Sequence, residues 1–200
     1  MARKARKTAI RGEKFLKFRC TDCGNCCTDT IVPVTSEDVA RLVKGTGLAA
    51  ADVAQFYKAS EFEDEGVGLH FVKLDVGSRV MGLKKRFDEK DEREACKFFK
   101  DNRCSVYEHR PVTCRVWPFT LSFDETGKRL SRLEINDALP CPFELDGSND
   151  PAKLISDWKW DDKQDDTYEA IVKAWNLEHA GGTEEQYFAF LGLGELEKVS

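Results

Sequence analysis

Two rhythms of apolar spacing run along this chain. Thr35 or Ser36 can cap a helix that continues through Glu37-Asp-Val-Ala-Arg-Leu-Val-Lys44, and Gly45 to Gly47 ends it. A second helix is predicted from Ala51 to Ala59, with Val53, Phe56 and Tyr57 on one face. The rhythm then shortens. Leu69 to Leu74 and Arg79 to Leu83 read as strands joined by Asp75-Val-Gly-Ser, a hairpin signal, and Ile31 to Val34 is a shorter β-prone piece. The charged stretch Lys84 to Glu94 is predicted as a loop or a short helix.

Helical spacing returns in the C-terminal third. Asp150-Pro151 opens a helix carrying Leu154, Ile155 and Trp158, and Tyr168, Ile171, Val172 and Trp175 form a further amphipathic face. Asp161-Asp162 and Asp165-Asp166 lack the glycine and terminal glutamate of a calcium loop, so they are predicted as a helix N-terminal charge cluster. Thr183 caps a last short helix that runs into Tyr187-Phe-Ala-Phe-Leu191. These patterns predict an α+β fold: a small, irregular, cysteine- or metal-organised core, a short hairpin or small sheet, and surrounding helices.

Composition narrows the function classes. The 200 residues are 41% apolar and 34% charged, which suits one domain with a modest core. No apolar run approaches the ~20 residues of a membrane span. The first nineteen residues hold eight basic side chains against Glu13, a net of +7, which leaves −12 for the rest of a chain whose total is −5. That division predicts a basic arm over 1–19, a cysteine-cluster domain over 20–145 and an acidic helical extension over 146–200 packed on the same core. The later chain has no basic patch interleaved with aromatics, which argues against a nucleic-acid binder. The arm lacks the apolar segment of a secretory signal, so the expected compartment is the cytoplasm, where thiols stay reduced and serve as ligands rather than disulfides.

The chemistry is in the cysteines. Cys20-Thr-Asp-Cys23-Gly-Asn-Cys26-Cys27 places four thiols in eight residues, and Cys96, Cys104, Cys114 and Cys141 add four more. Two-residue gaps let a turn aim successive sulfurs at one centre. Cys20, Cys23 and Cys26 resemble the ferredoxin-like wrap in which one loop binds three corners of a 4Fe–4S cluster and a remote cysteine takes the fourth. Pairs such as Cys20/Cys23 with Cys104/Cys114 would equally satisfy a structural zinc ion. Cys27 needs a strongly turned backbone to face the same ion as Cys26, so one centre or two remain open.

Arg110 and Arg115 flank Cys114 and are candidate cofactor-binding cations, because positive charge offsets an all-thiolate site. Tyr107, Trp117 and Phe119 are expected to form an apolar shell around it. His109 is expected at the surface or beside a ligand, and His70 and His179 have no assigned site. Asp101-Asn-Arg predicts a tight turn, and Ser105 to Cys114 a short helix ended or kinked near Pro111. Gly45-Thr-Gly47-Leu-Ala-Ala50 matches a dinucleotide signature in form, but it follows a helix rather than a strand and reads as a helix end. No P-loop, G-x-S-x-G or H-E-x-x-H occurs.

The C-x-x-C-x-x-C-C run with Gly24 after its second cysteine, together with Cys104-Ser-Val-Tyr-Glu-His-Arg-Pro-Val-Thr-Cys114-Arg-Val-Trp-Pro-Phe119, resembles the YkgJ-type cysteine-cluster family over about Arg19 to Pro142. The resemblance implies zinc or iron chelation, with an iron–sulfur cluster often presumed, and no common reaction. Two functions follow as expectations. One is a cytoplasmic iron–sulfur protein, with zinc as the alternative, acting structurally or as a redox or sensor module for a protein partner. The other is a group-transfer or redox enzyme with a pocket beside the cluster, lined by Arg110, Arg115 and nearby aromatics.

Overall fold

A computed structural model describes residues 10–28, 30–62, 68–88, 92–136 and 142–194. In chain order the elements are β1 (Arg19–Cys20), α1 (Asn25–Thr28), α2 (Ser36–Thr46), α3 (Ala50–Val53), β2 (Ala54–Tyr57), β3 (Phe71–Leu74), β4 (Gly77–Leu83), β5 (Lys85–Asp88), β6 (Arg93–Cys96), β7 (Phe99–Lys100) and β8 (Arg103–Cys104). They continue with α4 (Val112–Val116), β9 (Phe119–Phe123), β10 (Leu130–Ile135), β11 (Phe143–Glu144), α5 (Pro151–Glu178) and α6 (Glu184–Phe190). The architecture is a mixed α and β one, with several small antiparallel sheets surrounded by helices. Among the described residues no helix is long and apolar enough to cross a membrane.

The largest sheet has the order β2-β4-β3. Leu74 pairs with Gly77 around a two-residue turn, which sets the β3–β4 register and turns Val72 and Leu74 toward the core. The Ile31–Val34 piece extends beside β4, where Val34 N donates to Met81 O at 3.1 Å and Leu83 N to Val32 O at 2.9 Å. Thr35 then caps α2 through a reciprocal box with Asp38, and Gly47 closes the helix in a left-handed conformation. Val39 and Leu42 of that helix are fully buried on Val34, Val53, Met81 and the C-terminal helices.

Two local expectations change here. The predicted helix over 51–59 is a single turn, α3, followed at once by strand β2. Ala54–Tyr57 pairs along β4, with Phe56 opposite Met81, and the ladder's backbone bonds together with β-favouring Phe56 and Tyr57 outweigh the helical spacing. The charged stretch after Leu83, read as a loop or short helix, contains two paired strands on either side of residues 89–91, which lie outside the described residues. Lys85 pairs with Cys96 and Asp88 with Arg93.

A second apolar cluster lies around the β9–β10 hairpin: Phe119, Leu121, Leu130, Leu133, Phe18 and Leu154. Residues 10–18, inside the basic stretch, contribute to it through Ile10, Phe15, Leu16 and Phe18, and Phe18 meets Phe119 at 5.3 Å between ring centroids. One helix joins the two clusters. Asp150 caps α5 by accepting from Ala152 N, and Pro151 needs no amide partner in the first turn. Over 28 residues α5 places Leu154 in the second cluster and Tyr168, Val172 and Trp175 in the main core. Asp161, Asp162, Asp165 and Asp166 therefore sit in mid-helix, not at a helix N-terminus, because no break occurs after Trp158. The short helix α6 has its Thr183–Gln186 capping box and buries Tyr187 and Phe188 on Trp175 and Phe56.

Candidate metal centre

The N-terminal cysteines span a strand, a loop and a helical turn. Cys20 lies on β1 opposite Phe143 of β11, and Thr21 Oγ1 donates to Pro142 O at 2.7 Å, so the start of the run is tied to residues 142–144. Gly24 has φ +81° and is pressed onto Phe99, where a Cβ would stand 2.5 Å from the ring, which requires glycine. This contact docks the loop on β7. The chain then winds into α1, held by Cys27 N to Gly24 O at 2.8 Å and Thr28 Oγ1 to Gly24 O at 3.2 Å. That turn supplies the strongly turned backbone Cys27 needs: its Sγ is 3.9 Å from that of Cys26.

The other cysteines arrive on separate elements. Cys96 ends β6, and Asp101 and Asn102, at φ 50° and 58°, form the tight turn that returns β8 and Cys104 alongside Phe99. Pro111 does not end a helix. It separates a 3₁₀ turn at Tyr107–His109 from α4, which it precedes as N-cap, because its ring lacks the amide that a continuing helix would use. Cys114 lies in the middle of α4.

Helix α2 fixes that segment through a buried ionic link. Asp38, 2% exposed, accepts from Val112 N at 3.2 Å and from Arg41, and Arg41 donates to His109 O and Arg110 O at 3.4 and 3.2 Å. Its guanidinium also lies over the Trp160 ring at 4.7 Å. Asp38 and Arg41 were not singled out from the sequence, where they resemble any i, i+3 surface pair.

All seven described cysteines are free thiols. Burial pushes Cys114 far above the ordinary thiol range, and the charges of Cys96, Cys26, Asp38 and Cys104 push it further. Burial likewise raises Cys96 to about 11, with Cys104 and Cys26 adding to the effect, and raises Cys104, on which Cys26 also acts. Every pair among Cys26, Cys96, Cys104 and Cys114 is thus within electrostatic reach. The hydrogen bond shared by the Cys26 and Cys27 sulfurs raises Cys27 and lowers Cys26; Cys96 and Cys114 also act on Cys27. Cys20 is raised by burial and coupled to Cys26 and Cys23. Cys26, Cys96, Cys104 and Cys114 thus act on one another's charge, and Cys27 stands beside Cys26. No group of three or more His, Cys, Asp or Glu among the described residues stands ready to hold a single metal ion. Cys141 lies outside the described residues.

The neighbouring side chains divide into clamps and donors. Arg115 donates to Arg110 O at 3.2 Å and Glu108 O at 2.8 Å, so it braces the loop before α4. Arg110 stacks its guanidinium over Tyr107 at 3.7 Å, and its charge lowers the pKa of both Cys26 and Cys104. Tyr107 is 58% exposed and Phe119 belongs to the second apolar cluster, so neither forms the expected shell around the thiols. His109 packs on Gly45 of α2, where a Cβ would meet its ring at 2.4 Å.

Next to Cys114, Thr113 opens on a cavity of about 280 Å³ whose walls include Asp38, His70, Met81, Asp161, Asp165 and Tyr168. His70 Nε2 is 2.7 Å from Asp165 Oδ1. Burial, with the charges of Asp38, Asp165 and Asp162, pushes Asp161 up to about 6.

A family model described as "Putative zinc- or iron-chelating domain", of the CxxCxxCC type, matches residues 19–140, more than half of the chain. No curated protein and no solved structure matches it.

Proposed function

Because the chain belongs to the CxxCxxCC family, we propose that it is a cysteine-ligated metal protein whose centre is an iron–sulfur cluster of the 4Fe–4S kind. Cys26, Cys96, Cys104 and Cys114 would hold it, with Cys27, Cys20 and Cys23 as flanking thiols. The observation that carries this reading is the family match over residues 19–140, and it is supported by thiols up to 88 residues apart in sequence, Cys26 to Cys114, that act on one another's charge. The donor set fits: soft thiolates suit iron–sulfur and zinc centres, whereas hard cations select oxygen.

More thiols gather than the four a zinc ion takes, and Cys20, Cys23 and Cys26 keep the spacing of a cluster-wrapping loop. When bound, the cluster supplies a one-electron couple. The surrounding residues order the thiolates, and Arg110 offsets their charge, which suits a cytoplasmic redox or sensor module that acts on a protein partner, or a structural centre. Zinc is the competing reading, favoured by the fully coupled set numbering four.

Anaerobic purification, metal analysis and a visible absorption spectrum test the proposal. Brown protein with stoichiometric iron and acid-labile sulfide is the expected result. Colourless protein with one zinc per chain would replace the cluster by zinc, and metal-free protein that takes up neither would overturn metal binding by these thiols.

A further inference from the structure

Among the described residues two buried side-chain nitrogens have no hydrogen-bond partner, Arg110 Nε and Trp117 Nε1, and both lie in the eight-residue segment that carries Cys114. Each is an N–H that can only donate. Leaving such a donor buried and unsatisfied costs about 1–3 kcal/mol, and native proteins keep few of them. Two so close together point to an acceptor that the described residues do not supply.

Their placement says where that acceptor belongs. Trp117 caps the C-terminal end of α4 three residues after Cys114, the spacing that puts side chains on neighbouring positions of one helix face. Arg110 precedes the same helix, and its charge acts on Cys26 and Cys104, thiols from two other elements. Its backbone is held by Arg41 and Arg115 through the Arg110 carbonyl, and its guanidinium plane is set by Tyr107. The Arg110 donor is therefore fixed before any ligand arrives, and Trp117 is tied to α4 through its backbone N–H to Thr113 O at 3.0 Å.

An all-thiolate metal centre is anionic and accepts hydrogen bonds at sulfur. Resting on the metal reading above, we infer that Arg110 Nε–H and Trp117 Nε1–H donate to the sulfurs of the cysteine-held centre as positioning residues. These N–H···S bonds lower the energy of the sulfur lone pairs and hold the thiolates on the metal. Neither residue is a ligand, and Trp117 acts through its N–H rather than as part of an apolar wall.

The test uses the metal-loaded full chain and two conservative variants. Trp117→Phe keeps the ring and removes only the N–H; Arg110→Lys keeps the charge and removes the planar Nε–H. The readouts are the sulfur-to-metal charge-transfer bands, taken with the native metal or with Co²⁺ in place of zinc, and the rate of metal loss to a chelator. The expected result is full metal loading and an unchanged melting transition in both variants. Their bands move to lower energy, and metal is lost several-fold faster. Arg110→Gln, which also removes the charge, gives a larger change in the same direction.

Loaded, folded variants with wild-type bands and release rates would overturn this inference while leaving the metal reading intact. A wild-type chain that holds no metal would overturn both. Trp117→Phe keeps the inference falsifiable even if the arginine variants fold poorly, because the indole-to-phenyl change leaves the ring in place.

Discussion

The two ends of the long helix α5 meet quite different partners from the segment that carries the thiols. At the C-terminal end, Trp175 and Tyr187 are buried to 2% and 0% exposure, and the three-stranded sheet supplies Val72, Leu74, Met81 and Leu83. That region is held by apolar area and by ladders of four or more residues. The cysteine region has the two-residue ladders β1–β11 and β7–β8 beside the four-pair β5–β6 ladder that carries Cys96, and four non-glycine residues with positive φ, Asp22, Glu92, Asp101 and Asn102. Its half-buried thiols Cys96, Cys104 and Cys114 stand among buried Ala95, Phe98, Phe99, Val106 and Val112, and the loss of water around them drives them toward the protonated form. On the proposed metal reading, one chain combines a region whose order is intrinsic with one whose order is coupled to a ligand.

Metal removal is the strongest way to break that comparison. Structural metal sites contribute on the order of 10 kcal/mol to the folding of the segments that hold them. Stripping the metal, or changing Cys114→Ser, is expected to abolish hydrogen-exchange protection in β6 to α4 while β2, β3 and β4 stay protected. Simultaneous loss in both regions would show that they form a single cooperative unit.

The reverse experiment acts on the apolar region. Trp175 packs on Tyr187, His179 and Phe190 and donates to Lys73 O at 3.1 Å. Trp175→Ala is expected to cost about 3–5 kcal/mol of global stability by urea denaturation. A cost below ~1 kcal/mol would mean that the sheet end is not held by this core.

A smaller effect is expected at the joint between the regions. Asp38→Asn weakens the acceptor of Val112 N and Arg41, so ~1–3 kcal/mol should be lost together with metal affinity. Stability loss without a change in metal affinity would show that α2 does not position Cys114.

The smallest change has the opposite sign. Asp161 is pushed up to about 6 from an ordinary 3.8, with Asp38, Asp165 and Asp162 facing it. The folded state therefore holds this proton more tightly than the unfolded state. The stabilisation is present below the unfolded value and is lost as pH rises toward 6. Asp161→Asn should stabilise the chain at pH 7 by ~1 kcal/mol or less and flatten the stability profile between pH 4 and 6. A destabilised variant would mean that the ionised carboxylate has a favourable partner at neutral pH.

Legibility in the sequence followed the range of the forces involved. Thr35 and Thr183 capped helices as read, because a capping box closes within four residues. Asp150-Pro151 opened α5 for the same reason, and Asp101-Asn102 formed its turn locally. Ala54–Tyr57 was misread because its strand partner, β4, lies more than twenty residues away. The thiols were identifiable as candidate ligands by type and spacing. Nothing in that spacing said that the charge of Cys26, rather than of the Cys20–Cys23 pair, would act on Cys96, Cys104 and Cys114.

The sequence by itself determined the soft-donor chemistry, the caps, the turns and membership of a metal-chelating family. These depend on residue type and on neighbours within a few positions. Only the tertiary structure decided which thiols meet, that Asp38 and Arg41 anchor the Cys114 segment, and that Arg110 and Trp117 keep unpaired donors beside it. Burial, charge coupling and hydrogen-bond satisfaction depend on what distant segments bring to the same place, and local sequence does not encode that.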